Sequence, residues 1–171
     1  MPFPMAHLCI AYNILRNTPQ IKKSCDFLLG AIAPDSFHFS ENYESDMKKA
    51  SHLIVGDEKL GEVTNNEEWS ENVLNFLHKN MCPEKADFLY GYCCHVLADI
   101  QNNIRIWTPY RLSSMYTSEK GYDTDYHKEA YAVDNALYLL HQEGATIMQI
   151  LKNAVGYDIE NTVVDKAEAS F

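Results

Sequence analysis

The stretch Phe88-Leu89-Tyr90-Gly91-Tyr92-Cys93-Cys94-His95-Val96-Leu97-Ala98-Asp99-Ile100 decides the fold. Wound at 3.6 residues per turn, it is apolar around most of its circumference, the pattern of a helix at the centre of a protein. Pro83 stands shortly before it, at a predicted helix start. Phe88, Tyr92, His95 and Asp99 follow one another at spacings of four, three and four, so they fall on a single stripe. His95 and Asp99 are i, i+4 neighbours whose side chains can converge on one point. Burying an unpaired carboxylate costs on the order of several kcal/mol, and a hydrogen bond to one neutral histidine offsets only part of that. A metal ion held by both groups offsets it fully. The same spacing also suits a buried His–Asp hydrogen bond or an exposed pair on a helix surface.

Working outward, the periodicity is helical nearly throughout. His7, Leu8, Ala11, Ile14 and Leu15 mark an amphipathic first helix. Thr18-Pro19 reads as a start signal for a second helix that runs through Leu28 and Leu29. Gly30 to Pro34 breaks that helix and leads into Asp35. A short helix is predicted near Met47 to Leu53. Asn65-Asn66 precedes a helix with Trp69, Val73, Leu74 and Leu77 on one side. Thr108 to Gly121 reads as a long connection rich in Tyr and Ser. Asp125 to Gln142 is a further predicted helix, stopped by Gly144, and Ala145 to Ala154 is a shorter one before a fraying end. No repeat, linker or strand alternation interrupts the pattern, so residues 1–171 are expected to form one compact multi-helix, all-α metal-binding domain.

At 171 residues with 46% hydrophobic content, the chain can bury a real core. A formal net charge of −10 argues against steering towards nucleic acid or an anionic membrane. No run approaches the roughly 20 apolar residues of a membrane span. Met1 to Leu15 has no basic residue before its apolar part and no small-residue cleavage site after it, so no signal peptide is expected. The five cysteines, Cys9, Cys25, Cys82, Cys93 and Cys94, are odd in number and form no C-x-x-C pair. They are expected to be buried small hydrophobes in a reduced, cytoplasmic protein.

Asp35 follows Pro34 in an irregular turn, where backbone rather than helix aims the carboxylate. His52 sits beside Ser51 with Leu53, Ile54 and Val55 behind it, and His7 lies on the apolar stripe of the first helix. Singly, each fits a satisfied core polar residue. Together, three histidines and two aspartates in apolar surroundings form an N/O donor set suited to zinc.

The order His7, Pro34-Asp35, Ser51-His52, Gly91-Tyr92-(x)2-His95-(x)3-Asp99 resembles the zinc-dependent phospholipase C family. That family is similar in site and fold to the fungal single-strand nucleases. The stretches Gly30-Ala-Ile-Ala-Pro-Asp-Ser-Phe-His38 and Lys48-Lys-Ala-Ser-His-Leu53 look like its short, unsecreted bacterial branch. The resemblance implies an all-α fold and one to three Zn²⁺ ions in a cleft. By resemblance, Asp35, His52, His95 and Asp99 hold one ion, Asp99 bridges to a neighbour, and His7 belongs to that neighbouring ion. The secreted relatives also use an N-terminal tryptophan, whereas this chain begins Met-Pro-Phe-Pro. The family's third site takes a histidine soon after the bridging aspartate, but Ile100 to Arg105 contains none. It also takes a His-(x)3-acid pair, but Tyr131 stands four residues after His127. Glu129 and Asp134 are possible substitutes, with Asn102 or Asn103 as weaker donors, and a full three-metal site is not expected.

The implied activity is hydrolysis of a phosphoester by metal-activated water, with Asp35 as a ligand that also takes the water's proton. The implied substrate is a lipid headgroup ester or another small phosphoester. The alternative is a non-catalytic metal-binding or sensing module on a hydrolase-derived scaffold, because function follows the site and not the fold. A His-Asp phosphohydrolase would show adjacent His and Asp, and no such dipeptide occurs. His38 is expected near the site, while His78 and His141 suit helix C-termini. Trp69 and Trp107 read as packing. Trp107, Tyr110, Tyr116 and Tyr122 form either an ordinary packed loop or the lining of a substrate mouth.

Overall fold

Helix α5 (Ala86–Asn102) forms where the apolar run predicts it and buries Phe88, Leu89, Tyr92, Val96 and Ile100 at no more than 1% exposure. Burying each such side chain stabilises by roughly 1.5–3 kcal/mol. The computed structural model describes residues 3–39, 44–58, 61–113 and 125–157, without the side chains of 37–39 and 45. The other helices are α1 (Pro4–Asn17), α2 (Ser24–Gly30), α3 (Ser45–Ser51), α4 (Asn66–Asn80), α6 (Thr108–Arg111), α7 (Asp125–Leu140) and α8 (Gly144–Leu151). A 3₁₀ turn spans Ala33–Phe39, and a π-helical turn, Asn103–Trp107, carries α5 on into α6. The fold is all-α, and no described helix is long and apolar enough to cross a membrane.

Two apolar clusters flank the α2–α5 contact. One joins α4 and α5 through Trp69, Val73, Phe76, Phe88 and Tyr92. The other joins α1, α2 and α8 through Leu8, Ala11, Phe27, Leu28 and Ile147. Between them the backbones of α2 and α5 touch. A Cβ on Gly30 would stand 2.1 Å from the Phe88 carbonyl oxygen, and one on Gly91 would stand 2.0 Å from that of Phe27. Only glycine allows so close an approach.

Several sequence expectations are corrected. Thr18-Pro19 does not open α2. Thr18 ends α1, its carbonyl accepting from Ile21 N at 3.1 Å to close a turn. Helix α2 starts at Ser24, after Asp87 Oδ2 has accepted from the amides of Lys22 and Lys23 at 2.9 and 2.7 Å. Gly144 is not a stop but the first residue of α8. Leu74 is 55% exposed, and Phe76 takes its place on the buried side of α4. Thr108 continues helically to Arg111, because the π turn passes α5 into α6 without a break. Of the five free cysteines only Cys93 is buried. Tyr116, Tyr122 and the expected frayed end lie outside the described residues, as does the side chain of His38.

Candidate metal centre

Four elements supply the expected ligands. His7 comes from α1, Asp35 from the 3₁₀ turn, His52 from the residue after α3, and His95 and Asp99 from α5. The structure brings all five together. His52 Nε2 lies 3.3 Å from His95 Nε2, 3.3 Å from Asp35 Oδ1 and 3.3 Å from Asp99 Oδ2. His95 Nε2 lies 3.7 Å from Asp99 Oδ2 and 3.8 Å from Asp35 Oδ2. Tetrahedral zinc with bonds of about 2.0–2.2 Å needs ligand atoms roughly 3.3–3.6 Å apart. The His52–His95–Asp99 separations of 3.3 to 3.7 Å come close to that cage, while Asp35 faces His52 and His95 with different oxygens.

The second-layer contacts fix which nitrogen faces inward. His95 Nδ1 donates to the Ala31 carbonyl at 2.8 Å, a bond made available by the glycine contact between α2 and α5. His52 Nδ1 lies 2.9 Å from Ser51 Oγ and 3.1 Å from the Lys48 carbonyl. A carbonyl can only accept, so Nδ1 carries the proton in both rings and Nε2 turns its lone pair to the shared point. Two lone pairs 3.3 Å apart repel unless a cation or a proton stands between them.

His7 and Asp99 are the sharper observation. Both nitrogens of His7 and both carboxylate oxygens of Asp99 are buried without a hydrogen-bond partner. Orphaned buried polar atoms are rare and costly. His7 stacks on His95, with ring centroids 3.6 Å apart and planes 9° from parallel, and its Nε2 lies 3.6 Å from Asp99 Oδ1. Asp99 therefore turns one oxygen towards His52 and His95 and the other towards His7. Two overlapping donor groups result, His52–His95–Asp99 and His7–Asp35–His95, each with ligand atoms within 4.8 Å of one another. This donor chemistry fits zinc.

Electrostatics agree. Burial pushes the Asp99 carboxyl up to about 6, against the pull of His95. Burial also drives His7 well below the ordinary histidine value, with repulsion from His95 adding to it, and lowers His95. Burial alone would raise Asp35 too, yet the adjoining imidazoles of His52 and His95 hold its carboxyl well below the usual range. Positive charge at this spot therefore stabilises the carboxylate, as a metal would.

Access is one-sided. The side chains of His7, His52, His95 and Asp99 are 0–1% exposed, whereas Asp35 is 19% exposed. The remaining site residues expected from sequence belong to neither donor group. Asp134 Oδ1 accepts from Ala6 N at 2.9 Å, capping the first turn of α1. His127 packs among aromatics, 5.4 Å from the Tyr126 ring and 6.4 Å from that of Trp107, and burial lowers its pKa. Glu129 is exposed on α7. Asn102 donates to the Tyr126 hydroxyl, and Asn103 to the Val63 carbonyl and Asn66. Sequence reasoning missed Asn72, whose amide holds a carbonyl of the His52 turn, and took Trp69 for packing alone.

A family model described as zinc dependent phospholipase C matches residues 6–153. No curated protein and no solved structure matches the chain.

Proposed function

Since the chain belongs to the zinc-dependent phospholipase C family, we propose that it is a zinc-dependent phosphoesterase that cleaves a lipid headgroup ester or another small phosphodiester with water. One observation carries the reading: four ligand side chains are sealed from solvent and the fifth, Asp35, is not. A catalytic zinc keeps an open coordination position. Four protein ligands would fill an ion held by Asp35, His52, His95 and Asp99, so that position would fall to the ion that Asp99 and His7 would share, reached from the Asp35 side.

In this reading Asp35, His52, His95 and Asp99 hold one ion, and Asp99 with His7 serves a second. Bound zinc would supply Lewis acidity towards the phosphoryl oxygens and lower the pKa of the attacking water from about 16 towards about 7. The protein's own groups do the rest. The buried wall of His7, His52 and His95 excludes bulk water and fixes the lone pairs. The Asp35 carboxylate, ionised across the neutral range and partly exposed, accepts the proton of the attacking water. The water oxygen joins phosphorus as the bond to the alcohol oxygen breaks, and the proton held by Asp35 passes to that oxygen, leaving a phosphomonoester and a neutral alcohol. The five free thiols support a reducing, cytoplasmic setting for the protein.

A second reading, a metal-holding module without turnover, draws on the placement of Asp134 at the start of α1 and His127 among aromatics, which thins the candidates for a third ion. One experiment separates the two. Zinc-loaded wild type and Asp35→Asn are assayed on a chromogenic phosphodiester and on phosphatidylcholine in mixed micelles, beside their metal content. Turnover by wild type, lost in Asp35→Asn with zinc still bound, supports the enzyme. Stoichiometric zinc without turnover on either substrate supports the module.

A further inference from the structure

His52 occupies the point where α3 ends and the chain turns towards α4. The next residue, Leu53, has φ +57°, and among the described residues no other non-glycine has a positive φ. That left-handed conformation costs a residue with a Cβ about 1–2 kcal/mol. Such strain persists only where the surroundings over-determine it.

Three consecutive carbonyls supply the restraint. Ser51 O accepts from the Tyr92 hydroxyl, His52 O from the Trp69 indole N–H at 2.7 Å, and Leu53 O from the Asn72 amide at 2.8 Å. The last carbonyls of a helix ordinarily turn to water or to a backbone cap. Here each is held by a side chain of α4 or α5, 17 to 41 positions further along the chain. Trp69 and Tyr92 are themselves in the core, at 3% and 0% exposure, so packing fixes where their donors stand. Phe76 stacks on the Tyr92 ring at 5.0 Å between centroids. With the backbone pinned on both sides of its Cα, His52 keeps only its side-chain torsions, and the contacts of Nδ1 with Ser51 and Lys48 close those.

We propose that Trp69, Asn72 and Tyr92 are positioning residues of the metal centre, holding the strained His52–Leu53 turn in the one conformation that points His52 Nε2 at Asp35, His95 and Asp99. The proposal rests on the reading of His52 as a zinc ligand. Removing one such support displaces Nε2 from the cage while leaving all five ligands in the chain.

The test uses the full chain, with zinc affinity measured by chelator competition and coordination geometry by the d–d absorption of the Co²⁺ form. Trp69→Phe and Tyr92→Phe remove one N–H or O–H and keep the ring. Each is expected to weaken zinc binding roughly 10–100-fold and to alter the Co²⁺ spectrum. Trp107→Phe is the matched control. It removes an indole N–H that holds the Gly61 carbonyl at 2.6 Å, in the same inter-helix segment but not beside a ligand. Its zinc affinity is expected to equal that of wild type. Wild-type affinity and spectrum in both Trp69→Phe and Tyr92→Phe, or an equal loss in Trp107→Phe, would overturn the proposal. If Trp69→Phe does not fold, Asn72→Ala and Tyr92→Phe carry the test. His52→Ala separates the two levels. Wild-type zinc affinity there refutes His52 as a ligand, whereas its loss there alone refutes only the positioning role.

Discussion

Replacing Asp99 by Asn should stabilise the metal-free protein and abolish its response to zinc. Asp99 is fully buried, and neither of its oxygens has a hydrogen-bond partner. Burial raises its pKa from 3.8 to about 6, and at ~1.36 kcal/mol per pH unit that gap is worth about 3 kcal/mol. A carboxyl that holds its proton more tightly when folded lends stability at low pH and withdraws it as pH rises through about 6. His7 and His95 run the other way. Their lowered values mean that the unfolded chain binds more protons, so their penalty fades as pH rises past the ordinary histidine value of 6.5. At pH 7.5 the histidines are neutral in both states and the Asp99 penalty stands whole. Asn keeps the shape, removes the charge and offers an amide N–H to the Nε2 lone pairs of His52 and His95. Urea melts of chelator-treated protein at pH 7.5 should therefore show Asp99→Asn more stable by up to about 3 kcal/mol, or roughly 6–12 °C in melting temperature. Zinc at a thousand times its dissociation constant should add about 4 kcal/mol to wild type and almost nothing to the variant, so the order of stability reverses. A metal-free variant less stable than wild type, or one that keeps the zinc shift, would refute the reasoning.

Three further outcomes are expected. Gly91→Ala forces a Cβ to within 2.0 Å of the Phe27 carbonyl oxygen. It should cost about 1–3 kcal/mol or more by overpacking and weaken zinc binding by moving His95 away from Ala31, as chelator competition beside a denaturant melt would show. Asp134→Ala removes the acceptor for Ala6 N and should cost about 0.5–2 kcal/mol, read by thermal melting. Zinc affinity, titrated from pH 7.5 to 5, should hold down to about pH 6 and fall below it, because binding must then displace the proton on Asp99.

The central helix was legible because its signal is local. A run apolar on most sides can only be buried, and a four-three-four stripe puts Phe88, Tyr92, His95 and Asp99 on one face. Asp35 and His52 were legible as candidates for a weaker reason, being polar side chains set among apolar neighbours. Thr18-Pro19 misled because a capping hydroxyl and a proline serve a turn as well as a helix start, and the choice lay with Asp87, more than sixty residues away. The supports of His52 carried no local signal at all. A tryptophan on the buried face of an amphipathic helix reads as packing, and only the folded chain reveals that its N–H meets a carbonyl 17 positions earlier.

The glycine contact between α2 and α5 also bears on how this centre can be altered. Two backbones already in contact have no side chain left to trim or enlarge, so the spacing that ties His95 to Ala31 cannot be tuned by gradual substitution. The half of the cage carried by α5 is in effect an invariant frame. Any shift in ion preference or pocket shape has to come through the other half, the turns that bear Asp35 and His52, where single replacements can move a donor by fractions of an ångström. Libraries aimed at a new metal or a new ester would do best to leave α2 and α5 untouched and vary residues around those two turns.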